Sequence, residues 1–218
     1  MDIPAEKLIK EQTELANKIT IVDSFKKANL VAGIGIAYTD DKIICTIAVC
    51  NSKMELVESK TSVSNLQMKY VPGFMFYREG PVIIDAYSRL EKKPDVIICP
   101  FNGILHPRRI GAASHLGLVL DVPTIGVASS LICGREQGNS IVMDKEVRAQ
   151  KIFTKVYAKP LYVSPGHKIS LTKSVEIVKE SIREPHKLPE PLHIANRIAK
   201  SEKNKLMPAQ EKTTQAIL

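Results

Sequence analysis

The chain has 218 residues, 44% of them hydrophobic, and carries 31 Lys and Arg against 23 Asp and Glu, for a formal charge of +8. This composition supplies one sizeable core, with two small ones as the alternative. Apolar runs such as Val96–Cys99 and Leu116–Leu120 fall far short of the roughly 20 residues that span a bilayer. The positive balance favours polyanionic partners, because Lys and Arg displace counterions from phosphate; a lysine-rich soluble surface would carry the same charge.

The amino-terminal stretch MDIPAEKLIKEQTEL is charged and lacks the apolar centre of a signal peptide, so a cytoplasmic protein is expected. Cys45, Cys50, Cys99 and Cys133 show no CxxC spacing. They read as small buried hydrophobes, neither a zinc site nor a disulfide framework.

In chain order, Pro4–Ile19 has helical periodicity, with Leu8, Leu15 and Ile19 on one face. Three strands are predicted next: Leu30–Tyr38, Lys42–Cys50 and Met54–Val63, the third alternating more and nearer an edge. Their short polar turns predict an antiparallel meander. Lys69–Gly73 reads as a loop. Phe76–Lys92 reads as a helix with Pro81 in its first turns and Ile84, Tyr87 and Leu90 facing inward. A buried strand at Val96–Cys99, a small-residue helix over Arg109–Leu120 and a strand at Pro123–Ala128 follow. Gly134–Asn139 reads as a polar loop, and strands are predicted over Ser140–Asp144, Val147–Thr154 and Leu161–Ser164. Two helices close the chain, Leu171–Ile182 with Thr172 as its cap and Pro189–Lys203 opened by Pro-Glu-Pro. Polar residues from Ser201 onward suggest fraying. A meander followed by alternating strands and helices predicts an α/β fold, a mixed sheet with helices on both faces of the ribonuclease H-like kind.

Six stretches occur in the order found in one known family: VAGIGIAY, KYVPGFMFYREGP, KPDVIICPFNGILHPRRIGAASHLGL, DVPTIGVASS, YVSPGHKISL and LPEPLHIAN. Together they resemble endonuclease V, which nicks nucleic acid beside deaminated bases such as inosine. The likeness covers most of residues 8–200. It implies one domain over residues 1–204 and a polar, flexible tail over 205–218. It also implies metal-assisted phosphodiester hydrolysis, in which carboxylates converge on a hard Mg²⁺ that activates water and stabilises charge on phosphate.

Carried onto this chain, the family's pattern meets substitutions. Its first-strand aspartate falls at Gly35 and its fourth-strand aspartate at Pro100. A lysine falls at Ser129, and a last-helix histidine or aspartate at Asn196. Glu79 is kept, as is His106, which in the family lies by the active centre. Glu79 alone is a weak metal site, and its remaining role would be that of a hydrogen-bond acceptor. Asp95 lies at the other end of its strand, roughly 16 Å from Pro100. Asp40 and Asp41 lie beyond the first strand, and Asp85 sits on another helical face. None rebuilds the triad on this backbone path. Phe101, where the family usually has glycine, would fill space near the old metal and base pocket.

Residues expected to meet nucleic acid remain. Tyr70, Val71, Pro72 and Gly73 match the family's wedge, whose ring enters the gap left by an extruded base; the alternative is a tyrosine packed under its loop. Gly103, Arg108 and Arg109 belong to the basic segment after the fourth strand. His106–Arg109 is read as opening a helix whose N-terminus would favour phosphate, or as a helix capped by His106. His115 reads as packing and His167 as a turn residue.

Three functions follow. The first is an endonuclease V-like protein that binds deaminated or structured DNA or RNA but is catalytically deficient and needs no cofactor. The second is an active Mg²⁺ nuclease with a rewired site. The third is a protein-interaction scaffold, favoured if Phe101 and Leu105 form an exposed apolar patch. Restoring aspartate at both Gly35 and Pro100 is expected to rescue activity only in part.

Overall fold

A computed structural model describes residues 4–206. Among them, nine strands form one sheet in the order β3-β2-β1-β4-β5-β9-β8-β7-β6. The meander is present as β1 (Val31–Tyr38), β2 (Lys42–Cys50) and β3 (Leu56–Asn65), paired antiparallel with β3 at the sheet edge. β4 (Val96–Cys99) and β5 (Thr124–Ala128) run parallel to β1. The remaining strands, β6 (Arg135–Gln137), β7 (Ser140–Met143), β8 (Glu146–Ile152) and β9 (Leu161–His167), pair antiparallel.

Strand alternation divides the core in two. Ala32, Ile34, Ile97 and Cys99 pack against α2 (Met75–Ser88) and α3 (Ala112–Leu120). Val31, Val96 and Ile98 pack on the opposite face against α4 (Leu171–Glu180) and α5 (Glu190–Leu206). The parallel strands are buried on both faces, which is why they read as near-continuous apolar runs. α1 (Ala5–Ala16) places Ala16 in a separate small cluster with Ile104 and Ile110. Among the described residues, no helix is long and apolar enough to cross a membrane.

Several predicted boundaries move, each for a local reason. The helix expected from Arg109 begins at Ala112, because Arg109 takes a left-handed φ of 58° and the Gly111 amide bonds back to the Gly103 carbonyl. His106–Arg109 is therefore a turn: it opens no helix, and no helix N-terminus is available there for phosphate. In α2 the inward stripe is Glu79, Val82, Ile83 and Ala86, leaving Ile84 and Tyr87 half-buried. The expected loop Gly134–Asn139 contains β6, three exposed residues held by pairing with β7. β9 continues through Gly166, so His167 ends a strand and is buried, its Nδ1 accepting from the Thr20 amide. Ser170, not Thr172, caps α4: its hydroxyl accepts from the Lys173 amide at 3.1 Å. α5 stays helical from Ser201 to Leu206, where fraying was expected, with Lys205 bonded to Glu202. The expected tail at 205–218 lies outside the described residues after Leu206.

Candidate functional site

Chain direction brings the carboxyl ends of β4 and β5 to one end of the sheet, where α/β proteins usually hold ligands. A cavity of about 200 Å³ opens there. Pro100, Phe101 and Asn102 line it from the end of β4, and Ser129 and Ser130 from the end of β5. Tyr70, Gly73 and His106 complete the side facing the loop before α2. Phe101 fills space as expected but leaves this room open.

The Tyr70–Gly73 loop is anchored from behind. Gly73 has a φ of +82°, which suits glycine, and its carbonyl accepts from Gln12 Nε2 and Arg108 Nη2, both at 3.0 Å. Gln12 Oε1 in turn accepts from Arg108 Nε at 2.5 Å, and the guanidinium lies over the Phe74 ring. Tyr70 projects outward and is 55% exposed. It is not packed under its loop. The Arg78 guanidinium lies 5.9 Å from its ring centroid.

His106 is buried, and its Nδ1 accepts from the Arg108 amide while its carbonyl accepts from Arg148. Burial, and then the Arg108 charge, push its pKa down to about 4, so it is neutral at pH 7. Arg109 makes a bidentate pair with Glu146, with N–O distances of 2.7 and 3.0 Å, and Arg148 joins the same carboxylate. Arg109 is thus paired at a half-buried position, whereas Arg108 makes no ion pair among the described residues. Gly103 is buried, its amide donating to Ser164 Oγ, so it lies behind the cavity. Leu105 is fully buried and Phe101 half-buried, so these two do not form an exposed apolar patch.

The positions carried over for the metal bring no set of ligands together: the β1–β4 register, with Gly33 opposite Ile98, continues to set Gly35 beside Pro100, and neither residue has a side-chain donor. Gly35 faces α5 together with Gly33. A Cβ on Gly35 would lie 2.2 Å from the Ala195 carbonyl carbon and 2.5 Å from the Asn196 nitrogen, closer than any real contact. Helix backbone therefore occupies the space an aspartate side chain would need, and Asn196 is part of that wall. Glu79 belongs to the stripe of α2 that packs on the other face of the sheet. The Tyr38 hydroxyl donates to its Oε1. Burial raises the Glu79 pKa to about 7, against the Tyr38 hydrogen bond and the Arg78 charge. Among the described residues, no three His, Cys, Asp or Glu side chains converge as a metal site.

Two buried polar atoms without hydrogen-bond partners, Asn102 Oδ1 and His106 Nε2, belong to residues that line this cavity. Buried polar groups are ordinarily satisfied, so these two atoms are available to a ligand there. His115 is buried as expected and stacks on Phe76 with centroids 3.7 Å apart. Sequence reasoning missed Gln12, Tyr38, Arg78 and Arg148. The one available signal was Gln12, a polar residue sharing the inner face of α1 with Leu8.

A mixed sheet with parallel central strands, helices on both faces and a cavity at the strand ends is a ribonuclease H-like architecture. The sequence model of the endonuclease V family matches residues 13–197. The chain is 38% identical to endonuclease V of Dictyoglomus thermophilum over 208 residues, covering 91% of each chain. It is also 38% identical to that of Rippkaea orientalis, covering 88% of this chain and 89% of the relative. Among solved structures it resembles Ciona intestinalis endonuclease V in complex with a 24mer DNA containing an inosine followed by a ribo-adenosine. That match has a TM-score of 0.87 at 28% identity, covering 94% of this chain and all of the other. Bacillus subtilis endonuclease V matches with a TM-score of 0.85 at 28% identity, covering 94% and 93%. The chain belongs to the endonuclease V family.

Proposed function

We propose that this protein binds nucleic acid at the cavity between Tyr70 and Ser129 and does not hydrolyse it. One observation carries the second half of this reading: α5 backbone occupies the space beside Gly35. Pro100 adds no side-chain ligand, and Glu79, one of whose oxygens accepts from Tyr38, is left as a single carboxylate. These donors do not fit a magnesium ion.

Binding is supported by what surrounds the cavity. Tyr70 stands on an anchored loop as a stacking surface, and Asn102 and Ser129 supply polar groups, while Arg108 keeps its charge behind that loop without lining the cavity. The Ciona relative was captured on inosine-containing DNA, which makes a duplex with a single inosine the appropriate probe. The neutral His106 at the cavity wall suits a hydrogen bond to a base more than an ion pair with phosphate.

Titration of a labelled inosine duplex should show saturable binding that weakens as salt rises. Tyr70→Ala should raise Kd about tenfold, the scale of losing one aromatic–base stack. Salt-independent affinity, or equal affinity in the Tyr70→Ala variant, would overturn this reading.

A further inference from the structure

A second exposed aromatic group lies outside the cavity. β8 and β9 are joined by residues 153–160, in which Phe153 is 65% exposed, Val156 is 75% exposed and Tyr157 is fully exposed. Tyr157 also has a φ of +60°, a conformation that glycine or asparagine takes more readily. The core gains nothing from a ring held in solvent there. With Glu184, Pro185 and His186, the loop encloses an open cleft of about 620 Å³, and Thr154 Oγ1 ties the two sides by donating to the Lys187 carbonyl at 2.7 Å.

Lys155 and Glu184 line this cleft, and His186 on its wall is bonded to Glu190. Lys155, together with Lys159, Arg183 and Lys187 in the adjoining segments, makes no ion pair among the described residues. Lys151, though paired with Glu136, lies 6.0 Å from the Phe153 ring centroid. Flat aromatic faces interleaved with free cations suit a strand whose bases stack and whose phosphates ion-pair. A zwitterionic membrane or a neutral protein surface would leave those cations without counter-charges.

Register places this loop at the same end of the sheet as the Tyr70 cavity. Tyr162, near the start of β9, lies opposite Ala128, the last residue of β5, and Ser129 follows into the cavity wall. β8 is two strand spacings from β5, about 10 Å. We propose that the Phe153–Pro160 loop is a second nucleic-acid contact, at which Phe153 and Tyr157 stack on unpaired bases flanking the segment held at the cavity while Lys155, Lys159 and Lys187 meet its phosphates. This rests on the nucleic-acid reading above.

The test compares the full chain with a Phe153→Ser, Tyr157→Asn double variant on two labelled probes. One is a short inosine duplex, and the other is the same duplex with single-stranded extensions of about eight nucleotides, within the usual site size of such contacts. The expected result is a roughly tenfold loss of affinity for the extended probe, with the short probe unchanged. Both substitutions are on exposed side chains, so the melting temperature should hold. Equal affinity of variant and wild type for the extended probe would overturn the proposal, as would an equal loss on both probes. Unchanged affinity together with a shift from dimer to monomer would overturn it in favour of a contact between copies. Failure of the wild type to bind either probe would overturn this proposal and the nucleic-acid reading together.

Discussion

A Gly35→Asp variant should be less stable than the wild type and should gain no nuclease activity. The Cβ alone would fall 2.2 Å from the backbone of Ala195, and a helix backbone has no rotamer with which to move aside. Overpacking a filled core costs about 1–3 kcal/mol, and burying a carboxylate without a cation adds a penalty of similar or larger size. A loss of at least about 3 kcal/mol is expected, which lowers Tm by roughly 6–12 °C for a chain of this length. Gly35→Ala separates the two causes by adding the methyl without the charge, and should lie between wild type and Gly35→Asp. Thermal unfolding of the three proteins checks the order. Wild-type stability in Gly35→Asp would mean that α5 yields easily. Packing therefore opposes even the partial rescue expected of a double aspartate restoration.

Glu79 should lower stability as pH rises from about 4.5 to about 7, against the opposite and larger contribution of His106 and His115, which burial holds neutral down to about 4 and which the unfolded chain protonates near 6.5. The Glu79 carboxyl is buried at the α2 face and titrates near 7, above its ordinary value of 4.5. Between those values the folded state holds a proton that the unfolded chain releases, so each step up in pH favours unfolding through this group. Below about 4.5 both states are protonated and the penalty vanishes; above about 7 both are ionised and it is complete, at about 3 kcal/mol. Glu79→Gln should remove this contribution while leaving that of the histidines, so the variant should match wild type near pH 4 and gain on it steadily up to pH 8. Denaturant unfolding of both proteins across this range is the check, and the same slope in both would assign the effect elsewhere.

Legibility in the sequence followed the range of the forces involved. β1, β2, β4 and β5 could be read because buried strands must be apolar and their residues are local. β6 could not, since Arg135, Glu136 and Gln137 are exposed and owe their extension to β7. The start of α3 was misread because a tertiary bond from Gly111 to Gly103 sets it. At the site, the family resemblance located Tyr70, Pro100, His106 and Ser129, and all four line one cavity. The interactions that define their setting were hidden, because each joins residues far apart in the chain: Arg108 with Gln12, 96 positions away; Tyr38 with Glu79, 41 away; and Arg109 with Glu146, 37 away. The same holds for Gly35, whose missing aspartate is visible in the sequence while the helix seated on it is not.

The most direct test is an incision assay in which purified protein, present above its Kd for the probe, is incubated with a labelled inosine duplex in Mg²⁺ and separately in Mn²⁺. The expected result is a bound, intact duplex in both metals. A nick that disappears in the Glu79→Ala variant would contradict the central claim, because it would show a working metal centre built around the one carboxylate the site retains.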